Sequence, residues 1–243
     1  MSRPVGAASA ATLLAAVLAL AACEGQDPAA NAAARAAARE QAAEEAARGF
    51  DAAVSAEEWE LARAHGDVLL ADFPGTAAAQ RVAPQHATIV ERAEATRTER
   101  RLAALWSYQS VPVDSGAQVS ASITAREQVD VDGKGPGPVQ LIFRDHPDWG
   151  RSSYLVLKAG DFACRGGCRV RVTVDEGAPR AMAASRPETD EAIAMFIEDE
   201  AALWALARDA GTIAVEFPVV AGGTRTAVFE VGGLDDARMP DWN

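Results

Sequence analysis

The residues of this chain best suited to chemistry fall in one pentapeptide, Asp145-His146-Pro147-Asp148-Trp149. An imidazole between two carboxylates is the donor set of a metal site or of a metal-dependent hydrolase. Pro147 and Gly150 mark the same stretch as a turn between strands, where polar residues belong for solvation alone. Asp145, His146, Asp148 and Trp149 are therefore read as a candidate binding loop, with hydrolysis as the alternative. A second acidic stretch, Asp130-Val131-Asp132-Gly133, begins like a calcium loop. It lacks the third ligand before the glycine and the later bidentate glutamate, and reads as a hairpin turn. No Gly-x-Ser-x-Gly occurs, and His65 and His86 fall in helical surroundings with no evident partner. No glycine loop is placed between a strand and a helix to cradle phosphate. The sequence assigns no catalytic residue, no metal ligand and no cofactor.

The first twenty-four residues carry an address. Arg3 precedes an uncharged run, Ala11 to Leu20, and then Leu20-Ala21-Ala22-Cys23. A short positive end, an apolar segment too short to span a bilayer and small residues before a cut site make a secretion signal. Leu-Ala-Ala-Cys resembles the lipobox of bacterial lipoproteins. That resemblance implies cleavage before Cys23, a diacylglyceryl group on its sulfur and acylation of its amine. Two or more chains suffice for stable anchoring, at roughly 0.8 kcal/mol per buried CH₂. Glu24 stands where an aspartate would favour inner-membrane retention in that class, which points to the outer membrane, facing the periplasm.

With Cys23 lipidated, Cys164 and Cys168 remain as an even pair in a compartment that permits disulfides. Gly166 and Gly167 between them allow a tight reversal, and the spacing is not the C-x-x-C of thioredoxin-like redox sites. A zinc site would need two further ligands that no nearby Cys or His pair supplies. A structural disulfide is the reading.

The elements that must position these residues change character near residue 105. Residues 1–22 form the signal peptide and 23–54 an alanine-rich linker. Asp27-Pro28 caps a helix of Ala, Arg, Glu and Gln with no large apolar side chain before Phe50, which suits a solvated stalk. Gly49-Phe50-Asp51 reads as a break. Ser55-Ala56-Glu57-Glu58 reads as a capping box opening a helical hairpin over 55–105, with Trp59, Ala62, Gly66, Leu69 and Phe73 on one face. Gly66 would let another helix approach closely, Thr76 can cap the next helix, and Pro84 should kink or split it. Ala62, Gly66, Leu69 and Pro74 resemble a helix junction of a tetratricopeptide repeat, without a second copy to stack on.

From Trp106 to residue 235, short apolar runs alternate with turn signals at intervals of roughly 8–12 residues, as in a β-sandwich. One short helix, Glu200 to Arg208, is capped by Asp199, and residues 236–243 form a tail. The fold class is thus α+β: a helical stalk or hairpin, then an antiparallel β-sandwich with one helix. Phe196-Ile197, the capped helix, Ile213 to Glu216 and Ala227-Val228-Phe229-Glu230-Val231-Gly232-Gly233-Leu234 resemble the end of the VasI/TagO-like periplasmic family. That resemblance implies a secretion-associated β-sandwich; the cysteine expected beyond the central strand is absent here.

A net charge of -12, with only Lys134 and Lys158 as lysines, argues against nucleic acid and against an electrostatic grip on anionic lipid. The expected partners are the membrane, through lipid on Cys23, and an envelope protein. Sheet edges and the Trp149 loop are the expected surfaces.

Overall fold

The computed structural model describes residues 27–187 and 193–242. Cys23 and the rest of the expected signal segment lie outside them. The chain divides into two compact units, Met1–Ile89 and Val90–Asn243.

In the first unit, helix α1 spans Pro28–Ser55 and α2 Trp59–Asp72. Helix α3, Ala77–Ala103, begins in this unit and runs into the next. Asp27 caps α1 as expected, its Oδ1 accepting from the Ala29 N–H at 2.9 Å. The solvated stalk is not confirmed. Helix α1 is almost wholly exposed up to Ala42, but Ala43, Ala47, Phe50 and Ala53 are buried in a core with Ala62, Leu69 and Val82. No break occurs at Gly49-Phe50-Asp51. Phe50 is fully buried, and burying such a ring is worth about 1.5–3 kcal/mol, more than the roughly 1 kcal/mol that a mid-helix glycine costs.

Ser55 is the last residue of α1 rather than a cap for α2, and its hydroxyl donates to the Asp51 carbonyl at 2.8 Å. Glu57 takes a left-handed φ of 57° to turn the chain, and Glu58 precedes α2 without a side-chain cap. Thr76 does cap α3, accepting from the Ala79 N–H at 3.3 Å. Helix α3 continues through Pro84 unbroken. Gly66 serves as its lack of a side chain suggests: a Cβ there would come within 2.6 Å of the His86 ring.

The second unit is built on strands β1 (Trp106–Val113), β2 (Gly116–Thr124), β3 (Val139–His146), β4 (Gly150–Leu157), β5 (Cys168–Val174), β6 (Arg180–Ser185), β7 (Ala194–Ile197), β8 (Ile213–Pro218) and β9 (Thr224–Phe229). Helix α4, Glu200–Asp209, is capped by Asp199 through the Ala202 N–H. The strands form one open antiparallel sheet in the order β1-β2-β3-β4-β7-β6-β5-β8-β9, not two stacked sheets. One core, with Phe143, Leu155, Phe217 and Phe229 among its fully buried members, lies on one face of this sheet. The sheet can enclose a core alone because it curls until its ends approach. The Arg126 N–H donates to the Val228 carbonyl at 2.7 Å, and the Trp106 indole donates to the Val231 carbonyl at 3.3 Å. Period-two alternation in β3, β4 and β8 buries the inner face while the outer stays half-exposed, which reads the same for a curled sheet as for a sandwich.

Strand β6 had no sequence signal. Its Arg-Ala-Met-Ala-Ala-Ser composition is poor in β-branched residues, and tertiary pairing overrides that. It meets β7 through two registered pairs, Ala184–Ile197 and Ser185–Phe196. Residues 236–242 form two 3-10 turns whose Met239 and Trp242 are buried in the core. The end of α3 is fastened to the chain beyond β9. Arg101 makes a two-pronged contact with Glu230 at 3.0 and 3.2 Å, and Gly233 lies directly against the backbone of Leu102 and Ala103.

Candidate functional site

Strand β3 runs as far as His146, residues 147–149 make the turn, and β4 begins at Gly150 with a φ of 68°. Registered pairing holds to the end, His146 opposite Gly150 and Asp145 opposite Arg151. This regularity separates the residues that the sequence places side by side. Successive strand residues point to opposite faces, so Asp145 shares the inner side with Phe143 while His146 is on the outer side with Arg144. The imidazole between two carboxylates is not formed.

What the turn does bring together is His146, Asp148 and Trp149. The His146 and Trp149 rings stack with centroids 3.9 Å apart and planes 15° apart. His146 is consequently buried on the outer face of the sheet, while Trp149 remains 70% exposed. The Asp148 N–H donates to His146 Nδ1 at 3.1 Å, so that lone pair belongs to the turn. The Asp148 carboxylate lies 4.0 Å from the same nitrogen and accepts from Ser115 Oγ at 2.7 Å, which joins the β1–β2 turn to the β3–β4 turn. The imidazole thus supports the indole and the carboxylate fastens a neighbouring loop.

Sequence reasoning missed two members of this surface. The Arg144 guanidinium carbon lies 5.4 Å from the Trp149 ring centroid and 5.4 Å from that of Tyr154 on β4. Such cation–π contacts are worth about 0.5–1 kcal/mol at exposed sites. Tyr154 in turn packs on Phe196 of β7 at 5.0 Å. Burial pushes the Tyr154 phenol above its usual range, with the Arg144 charge opposing. The usable signal was parity: Arg144 and His146 are two apart on β3, and Tyr154 is registered with Ile142 on the same face.

Cys164 and Cys168 are disulfide-bonded, as the spacing suggested, at the entry to β5. Gly166 and Gly167, with φ of 76° and 97°, make the reversal that no side-chain-bearing residue adopts cheaply. Nearby, the buried Arg186 guanidinium pairs with Asp161 at 2.5 Å and donates to the Pro187 carbonyl at 2.7 Å. Asp130 caps its own turn, its Oδ1 accepting from the Asp132 and Gly133 amides, so the acidic stretch is a self-contained turn. Among the described residues no group of three or more His, Cys, Asp or Glu is placed to hold a metal ion.

A cleft of about 440 Å³ opens elsewhere on the unit, between residues 127–130 and β9. No protein-family model matches this chain, and neither does any curated protein or solved structure at a significant level.

Proposed function

We propose that this chain is a lipid-anchored cell-envelope protein that acts by binding or scaffolding another envelope protein. The observation that carries the binding part is the Trp149 indole, 70% exposed yet held in place by a buried histidine and an arginine. A fixed, exposed aromatic ring offers a partner large contact area at little entropic cost, which is why tryptophan is over-represented among binding hot spots. The anchoring part rests on Leu20-Ala21-Ala22-Cys23, with the outer membrane and the periplasm as the implied location. No helix among the described residues is long and apolar enough to cross a membrane.

Two measurements test the two parts. Cys23→Ser should move the protein from the membrane fraction to the soluble fraction without changing its melting temperature; a variant still bound to membranes would refute anchoring. A photo-crosslinking residue at position 149 should capture one dominant envelope protein in cells. Failure to capture any protein there would refute the binding role.

A further inference from the structure

The sheet is closed along β1 only through side chains and along β9 hardly at all. Val228 turns its carbonyl away from β8 to accept from Arg126, and backbone groups alternate sides along a strand, so Thr226 and Thr224 face the same way. The remaining β9 residues, Arg225, Ala227 and Phe229, are the ones bonded to β8. Among the described residues the Arg126 contact is the one backbone bond received on this side of β9. The Thr226 N–H and carbonyl and the Val228 N–H face outward without a partner. An edge of this kind is a template for another strand.

The edge faces the 440 Å³ cleft, whose other wall is Glu127 to Asp130. That volume is within the range of ligand-holding clefts, roughly 300–1,000 Å³. Its electrostatics select the occupant. Arg225 lines the cleft, but its Nε and Nη1 donate to carbonyls: Asp130 at 2.6 Å, Thr224 at 3.0 Å and Gly222 at 3.4 Å. It offers little to an anion. The other wall charges are the carboxylates of Glu127 and Asp130. Glu127, with an 84% exposed side chain, has Arg126 as a loose neighbour at 3.9 Å. A second copy of this acidic chain would bring like charges together across the edge, and a cationic segment would not.

We propose that the open edge of β9 takes up an extended, lysine- or arginine-bearing segment of a partner protein, added as a short strand along Thr224 to Val228. This rests on the binding role above and adds to the Trp149 surface a second one with a stated partner chemistry. Strand addition is held by main-chain hydrogen bonds, with side chains setting preference. The charge pattern makes that preference basic.

The probe is an acetylated, amidated heptapeptide alternating lysine with valine or threonine, dye-labelled and followed by fluorescence anisotropy against the full chain. Saturable binding is expected. Replacing its lysines by glutamates, or methylating the backbone nitrogens that face the edge, should each weaken it by about tenfold, the effect of losing one good hydrogen bond or charge contact. On the protein side, Thr226→Pro removes the outward N–H while leaving the β8 ladder whole, and should weaken binding to a similar degree. Should that variant fold poorly, the N-methylated peptide against the unmodified protein decides alone. Absence of saturable binding up to about 1 mM, equal binding of the methylated peptide, or self-association in place of peptide binding would each overturn the proposal. Capture from position 149 that survives Thr226→Pro, with the peptide failing, would sink the edge site and leave the binding role standing. Loss of all capture would remove the binding role itself.

Discussion

Gly232 and Gly233 are adjacent glycines in the same stretch of chain, and the structure assigns them opposite tolerances. A Cβ on Gly232 would lie 3.5 Å from the Gly211 Cα and 3.6 Å from both the Ala210 carbonyl oxygen and a Leu102 methyl, which is ordinary packing distance. A Cβ on Gly233 would overlap the Leu102 carbonyl and the Ala103 amide nitrogen at the end of α3. Those are backbone atoms, so no rotamer change relieves the overlap; the helix end or the turn that carries Gly233 must move. Overpacking in a tight site costs about 1–3 kcal/mol, and the absence of a flexible neighbour puts Gly233→Ala at the upper end. Alanine also restricts the unfolded chain, which returns about 0.4–1 kcal/mol at either position. The net expectation is a loss of about 2–3 kcal/mol for Gly233→Ala and a change within about 0.5 kcal/mol, in either direction, for Gly232→Ala. At roughly 2–4 °C per kcal/mol for a domain of this size, Gly233→Ala should melt about 4–12 °C lower. Thermal and urea unfolding followed by tryptophan fluorescence report on this unit directly, since Trp106, Trp204 and Trp242 lie in its core. Equal melting of the two variants, whether both unchanged or both lowered, would refute the reasoning from close approach.

The Cys164–Cys168 disulfide closes a very short loop, so chain entropy sets a ceiling of about 2 kcal/mol on its worth; a modest fall in melting temperature with reductant is expected, and free thiols in protein isolated under oxidising conditions would contradict the bond. Asp161→Ala removes the carboxylate from the buried Arg186 guanidinium and should cost about 3 kcal/mol, read by urea unfolding; a loss below about 1 kcal/mol would show that the pair is solvated in practice. Arg101 hydrogen bonds hold the Glu230 carboxyl below its ordinary value of 4.5, with burial opposing. The folded value is the depressed one, so the stabilisation from this pair is whole above about pH 4.5 and is lost as pH falls through the lower folded value. A carbon-detected titration should show the Glu230 midpoint rising in Arg101→Gln, and an unmoved midpoint would rule the pairing out.

The parts of this fold that were legible in the sequence are those governed by local physics. Asp27, Thr76 and Asp199 announce helix starts because a cap is satisfied within three residues. Alternation announces most strands because only one face of the sheet is buried. The illegible parts depend on distant partners. Gly49 looks like a break until Phe50 is seen to be fully buried. Strand β6 looks like nothing until β5 and β7 flank it. A curled sheet and a sandwich share one hydrophobic pattern, so strand alternation alone does not choose between them. In the candidate loop, adjacency in sequence suggested an Asp–His–Asp cluster that strand parity takes apart, while Arg144 and Tyr154 enter through register, a two-dimensional property that a linear reading does not carry.

The narrow junction between β6 and β7 has a consequence for how the chain folds in time. Strands β1 to β4 pair with their sequence neighbours, as do β5 with β6 and β8 with β9, and such ribbons can zip locally. The remaining pairings join residues some forty positions apart, Tyr154 with Phe196 and Val172 with Val215, or rest on the two pairs linking β6 to β7. Long loop closures must be made before these contacts reward them, which makes them the slow steps of assembly. Three ribbons, β1–β4, β5–β6 and β8–β9, are therefore expected as transient separate bodies with bare apolar surface and open edges, until β7 is seated and β8 pairs with β5. The chain is most vulnerable to misassembly in that interval, and the β6–β7 seam is where a holding factor would have to act.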